Sequence, residues 1–227
     1  MQIIAAIGLF FCVSNVAFAQ SNVGDIFLQT GKDRLVVLKS GIWGSRNIDV
    51  CWENPDAASF DDLYSVMRAV VQTWQVHSDL KFEWTMKCGR NSRGIRVLVD
   101  DSGPRARFLG RHLDGKRNGV VLNFSYRNWS PVCRSSEAKR RACNKSIAVH
   151  EFGHALGFSH EQNRHDTPGE CASQNNKQGQ SGDVELTRWD IRSVMNYCNP
   201  TYNNNGNLSV GDIGGLQAVY GVPAGKS

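Results

Sequence analysis

Four residues of the stretch HEFGHALGFSH, residues 150–160, are of types and at spacings that could do chemistry together. His150 and His154 are four residues apart, which on a helix stacks two imidazoles one turn apart on one face. Two ring nitrogens placed that way can reach one ion at ~2.0–2.1 Å. Glu151 is adjacent, awkwardly set for a ligand but well set to hold a water on the metal. His160 lies six residues past His154, where a straight helix would carry it away. Gly157 removes that obstacle, because glycine takes positive φ and can turn the chain sharply. The turn brings His160 back as a third ligand. Three neutral histidines leave one position open for water, the mark of a catalytic rather than a structural zinc. HExxH alone arises by chance, whereas the extended pattern fixes five residue types. His77, His112 and His165 have no such company and are expected to be structural or exposed.

The chemistry open to this set is metal-assisted amide hydrolysis. One Zn²⁺ lowers the pKa of water to ~7 and polarises a carbonyl. Glu151 accepts the proton as general base and then delivers one to the leaving amine. The expectation is a secreted zinc-dependent endopeptidase acting on a protein or peptide substrate. A catalytically silent zinc-binding module, such as an adhesin or toxin subunit, would have no use for Glu151. A zinc hydrolase of a cell-wall or other non-protein amide fits the same motif, and a general protein substrate such as casein separates it from the main reading.

A second signal follows at SVMNY, Ser193 to Tyr197. Across roughly residues 43–222 the chain resembles the metzincin superfamily, in which a methionine-containing turn follows the long zinc motif. Met195 matches the turn methionine, and the resemblance implies an apolar floor beneath the metal. The plainer role for Met195 is core filler. Within the metzincins the chain is most similar to the astacins. Their motif runs on into Glu, Arg and Asp, here Glu161, Arg164 and Asp166, and they carry a tyrosine two residues after the methionine, here Tyr197. The resemblance implies that Tyr197 approaches the metal, as a loose extra ligand or as a hydrogen-bond donor to the oxyanion, with core packing as the alternative. It implies that Glu161 pairs with the amino terminus of a processed enzyme, or else that Glu161, Arg164 and Asp166 fix the loop. Asn196 and Cys198 stand where astacins usually have His and Gly, and residues 167–190 follow no astacin pattern. The implied fold is α/β (α+β) and metzincin-like: a mixed twisted sheet, an active-site helix, and a small irregular C-terminal subdomain ending in a helix.

The elements that must position these residues are legible in outline. Asn47 to Trp52 alternates as a strand, with Ile48, Val50 and Trp52 on one face. Phe60 to His77 carries a helical apolar stripe through Leu63, Val66, Met67, Val70, Val71 and Trp74. Leu80 to Trp84, Ile95 to Val99 and Gly119 to Phe124 read as further strands. In metzincins the strand corresponding to the last borders the cleft as a sheet edge, where a peptide can add as a further strand. The motif helix is predicted to start near Asn144, with Gly153 inside it and Gly157 ending it. Cys171 to Asp183 and Asn203 to Asn207 read as loops. Ser209 and Asp212 open a last helix with a capping-box pattern, and Gly221 and Pro223 stop it.

The 227 residues suffice for one catalytic domain, and 41% hydrophobic with 21% charged residues is ordinary globular composition. Residues 1–19 read as a signal peptide, with an apolar run from Ile3 to Val13 and a small-x-small site at Ala17-Phe18-Ala19. The run is short of the ~20 residues of a membrane span, so no stable membrane anchor is expected. Residues 20–42 form a short leader or propeptide, and residues 43–227 the catalytic domain. In the leader, Gly24-Asp25-Ile26 resembles the astacin segment whose aspartate blocks the metal; the alternatives are a turn capped by Asp25 and an extra strand from Leu35 to Leu38. Six cysteines remain after cleavage, an even set that suggests disulfides in an exported protein. The predicted pairs are Cys51–Cys88, at the ends of a strand–helix–strand unit, with Cys133–Cys143 and Cys171–Cys198 closing loops near the site. The net charge is +5, much of it from Arg134, Lys139, Arg140, Arg141 and Lys145, read as a solvated loop. With no aromatic interleaving and no binding motif, no nucleic-acid partner is expected. The sequence specifies no oligomeric state.

Overall fold

The computed structural model describes residues 35–174 and 177–225. The signal segment and Gly24-Asp25-Ile26 lie outside them. The first elements follow the apolar pattern. β1 spans Leu35–Val37 and β2 spans Asn47–Trp52, with Ile48, Val50 and Trp52 buried. Helix α1, Phe60–Val70, is capped by the Ser59 hydroxyl, which accepts from the Asp62 amide at 3.2 Å. It runs on into a wider π turn, Val71–Gln75, which buries Trp74. β3 (Lys81–Thr85), β4 (Ile95–Val99), β5 (Arg105–Ala106) and β6 (Val120–Leu122) complete a five-stranded sheet of order β3-β2-β4-β6-β5. β2, β3, β4 and β6 are mutually parallel, and β5 pairs antiparallel with β6, with Arg105 opposite Val121 and Ala106 opposite Val120. The expected mixed sheet is present.

One expectation is corrected by this order. The strand within residues 119–124 is not the edge, because β5 covers it. β5 is a two-residue strand just after Gly103-Pro104, too short to leave an alternating pattern in the sequence.

A short helix α2, Pro131–Arg134, precedes the motif helix α3, Glu137–Ala155. α3 therefore starts seven residues before the predicted Asn144. The Ser136 hydroxyl caps it, accepting from the Lys139 amide at 3.2 Å. Glu137 sits in its first turn, where carboxylates are favoured, and bonds Arg140 and Arg141 at 2.6–2.8 Å. The basic stretch is thus helical rather than a loop, with Arg134 ending α2 and Lys139 to Lys145 on the outer half of α3, and its polarity hid the helical period. The inner half is buried from Ser146 onward. Phe152 points into the sheet, 5.9 Å from the Phe82 ring and 5.6 Å from Trp84. The Trp74 indole donates to the Val149 carbonyl at 2.9 Å, tying α3 to the π turn.

The region read as a loop from Cys171 begins instead inside a helix, α4, Gly169–Gln174. β7, Val184–Leu186, pairs antiparallel with β1. Residues 35–37, counted above with the leader, are almost fully buried, and Leu38 donates to the Gly157 carbonyl at 2.9 Å. The last helix α5, Val210–Tyr220, has the anticipated capping box at Ser209 and Asp212. The three disulfides are Cys51–Cys88, Cys133–Cys143 and Cys171–Cys198, with Cα separations of 5.1, 5.8 and 5.7 Å. Such bonds belong to an oxidising compartment. No helix among the described residues is long and apolar enough to cross a membrane.

Candidate metal centre

α3 places His150 and His154 on one face, with rings 4.7 Å apart. The helix stops after Ala155, and Gly157 takes φ 98°, in the region that favours glycine. The reversed chain is held by Ser159 donating to the Val36 carbonyl at 3.0 Å. His160 comes back beside the pair: its Nε2 lies 3.2 Å from His150 Nε2 and 3.1 Å from His154 Nε2. All three side chains are buried.

Each outer ring nitrogen faces a backbone carbonyl: His150 Nδ1 to Val194 at 2.8 Å, His154 Nδ1 to Phe158 at 2.8 Å, and His160 Nδ1 to Gln178 at 3.0 Å. A carbonyl only accepts, so each Nδ1 carries the proton and each Nε2 presents a bare lone pair. Burial, joined for His150 and His154 by neighbouring imidazoles, holds all three rings well towards the neutral form, His150 down to about 3. Three lone pairs converging in a buried space repel one another unless a cation lies between them. Tetrahedral bonds of ~2.0–2.1 Å would hold such nitrogens about 3.3 Å apart. The residues present fit a zinc ion, and these three can hold one.

Glu151 is buried on the same helix, and its Oε2 has no hydrogen-bond partner among the described residues. Burial pushes its carboxyl up to about 8, against the pull of the Ala106 backbone and the Arg105 charge. β5 therefore runs directly beside Glu151. A groove of about 190 Å³ is lined by Arg105, Ala106, Glu151, His154, His160 and Tyr197. A larger concavity of about 710 Å³ lies against α5 and contains none of the histidines. Chemistry rather than size assigns the site.

The turn at 193–197 lies below the histidines. Met195 is fully buried, and a Cβ on Gly153 would run into its Sδ. This explains the glycine inside the motif helix: the methionine occupies the space a side chain would need. The Tyr197 ring centroid is 5.3 Å from that of His150 and 4.4 Å from that of His160. Burial pushes its phenol pKa upward, so it is a proton-bearing donor at neutral pH.

The residues after His160 form a buried polar knot. Arg164 bonds both oxygens of Asp166 at 2.6 and 2.8 Å, which fixes the loop. Glu161 Oε1 accepts from the Asp190 amide at 3.0 Å, while its Oε2 is buried without a hydrogen-bond partner among the described residues. The other histidines lie elsewhere: His112 meets the Ser40 hydroxyl and His165 meets Glu185, both at the surface. Sequence reasoning missed the contribution of β5 and the three orienting carbonyls. The carbonyls leave no residue-type signal at all.

Residues 129–211 match the family model Astacin, a family of peptidases. That segment holds the three histidines, Glu151 and the methionine turn. No curated protein sequence matches the chain. Among solved structures, one of myroilysin aligns with 18% identity and a TM-score of 0.58, over 82% of this chain and 98% of the other. A second myroilysin crystal structure aligns with 19% identity and a TM-score of 0.53, over 80% and 86%. High choriolytic enzyme 1, a hatching enzyme zinc-protease from Oryzias latipes (Medaka fish), aligns with 18% identity and a TM-score of 0.49, over 82% and 93%. The two myroilysin likenesses establish the fold, and the family match supplies the resemblance read from the sequence. Over residues 129–211 the chain is an astacin-like peptidase, with a histidine triad that can hold a metal.

Proposed function

We propose that this astacin-like chain is a secreted endopeptidase in which His150, His154 and His160 hold one Zn²⁺ and Glu151 is the general base. The observation that carries this reading is the convergence of three unprotonated Nε2 atoms beside a buried carboxylate oxygen that has no partner of its own among the described residues. Bound zinc supplies a Lewis acid that polarises a scissile carbonyl and acidifies water. Glu151, whose ionised form the positive charge of a bound zinc would favour against its burial, takes the proton from the attacking water on Oε2 and passes it to the leaving amine. Tyr197, at the rim of the groove, donates its O–H to the oxyanion as charge develops there. The open edge of β5 pairs with an extended peptide, and its backbone groups bring the scissile bond beside Glu151. The low dielectric around the buried histidines and Glu151 strengthens each of these interactions.

The three disulfides and the apolar N-terminal run support export through a signal peptide. The experiment is cleavage of casein and of a peptide library by the mature protein, alongside Glu151→Gln. The parent is expected to cleave internal peptide bonds. Glu151→Gln should retain zinc and lose at least ~10²-fold in rate. A variant as fast as the parent would remove Glu151 from the role of base.

A further inference from the structure

His150 differs from the other two histidines in what stands behind its orienting carbonyl. That carbonyl belongs to the Val194–Met195 peptide. The amide of the same peptide, Met195 N–H, donates to the Ser193 hydroxyl oxygen at 3.0 Å. The Ser193 hydroxyl in turn donates to Asp212 Oδ1 at 2.6 Å. A continuous line of hydrogen bonds thus runs from a carboxylate, through a hydroxyl and a peptide group, to an imidazole. The peptide bond is conjugated, so donation from its N–H raises electron density on its oxygen, and successive bonds polarise one another. Among the described residues the other two histidines lack such backing. The peptide carrying the Phe158 carbonyl donates through Ser159 N–H to the neutral Val36 carbonyl. The Gln178 carbonyl also accepts from the Asn163 amide at 2.7 Å, which draws density away.

We propose that Asp212 is a positioning residue for the metal centre, orienting His150 and strengthening it as a ligand through Ser193 and the Val194–Met195 peptide. This rests on the reading that the three histidines hold zinc. Carboxylates directly behind metal-bound histidines are common; here the carboxylate acts at one remove. Asp212 is fully buried, and its Oδ2 is fixed by the amides of Val194 and Ser209, both at 2.9 Å. Burial raises its carboxyl to about 6 against these hydrogen bonds, which still leaves it mostly ionised at neutral pH. Capping explains the contacts to Ser209 but not those to Ser193 and Val194, which belong to a different segment. An asparagine could satisfy the two amides through its oxygen. Its NH₂ would then donate to the Ser193 hydroxyl, leave that hydroxyl's proton without its acceptor, and break the line.

The test measures zinc affinity by competition with a chelating dye, thermal stability of the metal-free protein, and the His Nδ1–H proton resonances. Asp212→Asn and Ser193→Ala should each weaken zinc about tenfold. The double variant should bind no more weakly than the poorer single one. The His150 Nδ1–H resonance should move while those of His154 and His160 stay. Ser209→Ala removes the cap and keeps the line, so it should lower stability and leave zinc affinity unchanged. If Asp212→Asn does not fold, Ser193→Ala carries the same test. Unchanged affinity in Ser193→Ala, or equal weakening in Ser209→Ala, would overturn the proposal. A parent that binds no zinc would overturn the metal site as well, whereas a parent that binds zinc no more tightly than its variants would overturn the relay alone.

Discussion

Gly153→Ala is the sharpest probe of how the methionine turn meets the motif helix. Helix propensity alone makes this a stabilising change, worth about 1 kcal/mol for an interior glycine. The packing argues the opposite. The new Cβ would clash with Met195 Sδ, lie 3.2 Å from Met195 Cε, and sit 3.0 Å from Trp74 Cζ2. Both neighbours are fully buried. Trp74 is held by its bond to Val149. Met195 is held at both backbone ends, its amide on Ser193 and its carbonyl on Glu161. Overpacking a core with one methyl group costs ~1–3 kcal/mol, and the rigidity of this site argues for the upper end. The net is a loss of ~2 kcal/mol, some thirtyfold in the folding constant. Urea unfolding of the metal-free, disulfide-intact protein measures it, with Met195→Ala as partner. Met195→Ala alone should cost ~2–5 kcal/mol through its cavity. The double variant should cost less than the sum by at least ~1 kcal/mol, because the new methyl enters that cavity. A Gly153→Ala protein as stable as the parent, or strict additivity, would refute the packing argument.

Glu53 and Arg96 form a buried pair with two bonds of 3.0 Å; breaking it with Glu53→Gln should cost about 3 kcal/mol in urea at neutral pH. Burial works to raise the Glu53 carboxyl, but Arg96 and the Asn118 amide hold it below its ordinary value. Its stabilisation is therefore present above the ordinary carboxylate pKa and lost as pH falls through the lower folded value, so the variant should unfold with a flatter acid limb. Removal of residues 35–42 should destabilise the turn at 157–159, since Val36 and Leu38 bond it directly; amino-terminal sequencing of active enzyme should therefore find a start before Leu35, and a fully active form beginning near Trp43 would contradict this. Tyr197→Phe should keep zinc and lower kcat with little change in KM, because the bond it removes forms only as the oxyanion develops; unchanged kcat would remove Tyr197 from the mechanism.

The parts of the site legible in the sequence are those fixed by short-range spacing. His150, His154 and the turn at Gly157 follow from helical period and glycine conformation, and Ser209 and Asp212 announced their cap. β2 and β4 could be placed because their faces alternate or stay apolar throughout. What escaped depends on contacts distant along the chain. β5 is two residues long and exists only because β6 offers it a partner. The strand at Leu35–Val37 stands open as an alternative in the sequence, but its partner β7 lies far later in the chain and could not be read. The start of α3 was masked by charges that face solvent and pair along the helix. The link from Asp212 to the methionine turn could not be read, since a capping box carries no sign of what else its carboxylate holds.

The account's central claim, a zinc-dependent peptidase centre at His150, Glu151, His154 and His160, is tested most directly by zinc content and endopeptidase activity measured on the same mature sample. The expected result is one zinc per chain, casein cleavage that stops when a chelator removes the ion, and recovery of both when zinc is restored. Casein cleavage that survives complete removal of zinc, or a fully zinc-loaded protein that cleaves no peptide bond, would contradict it.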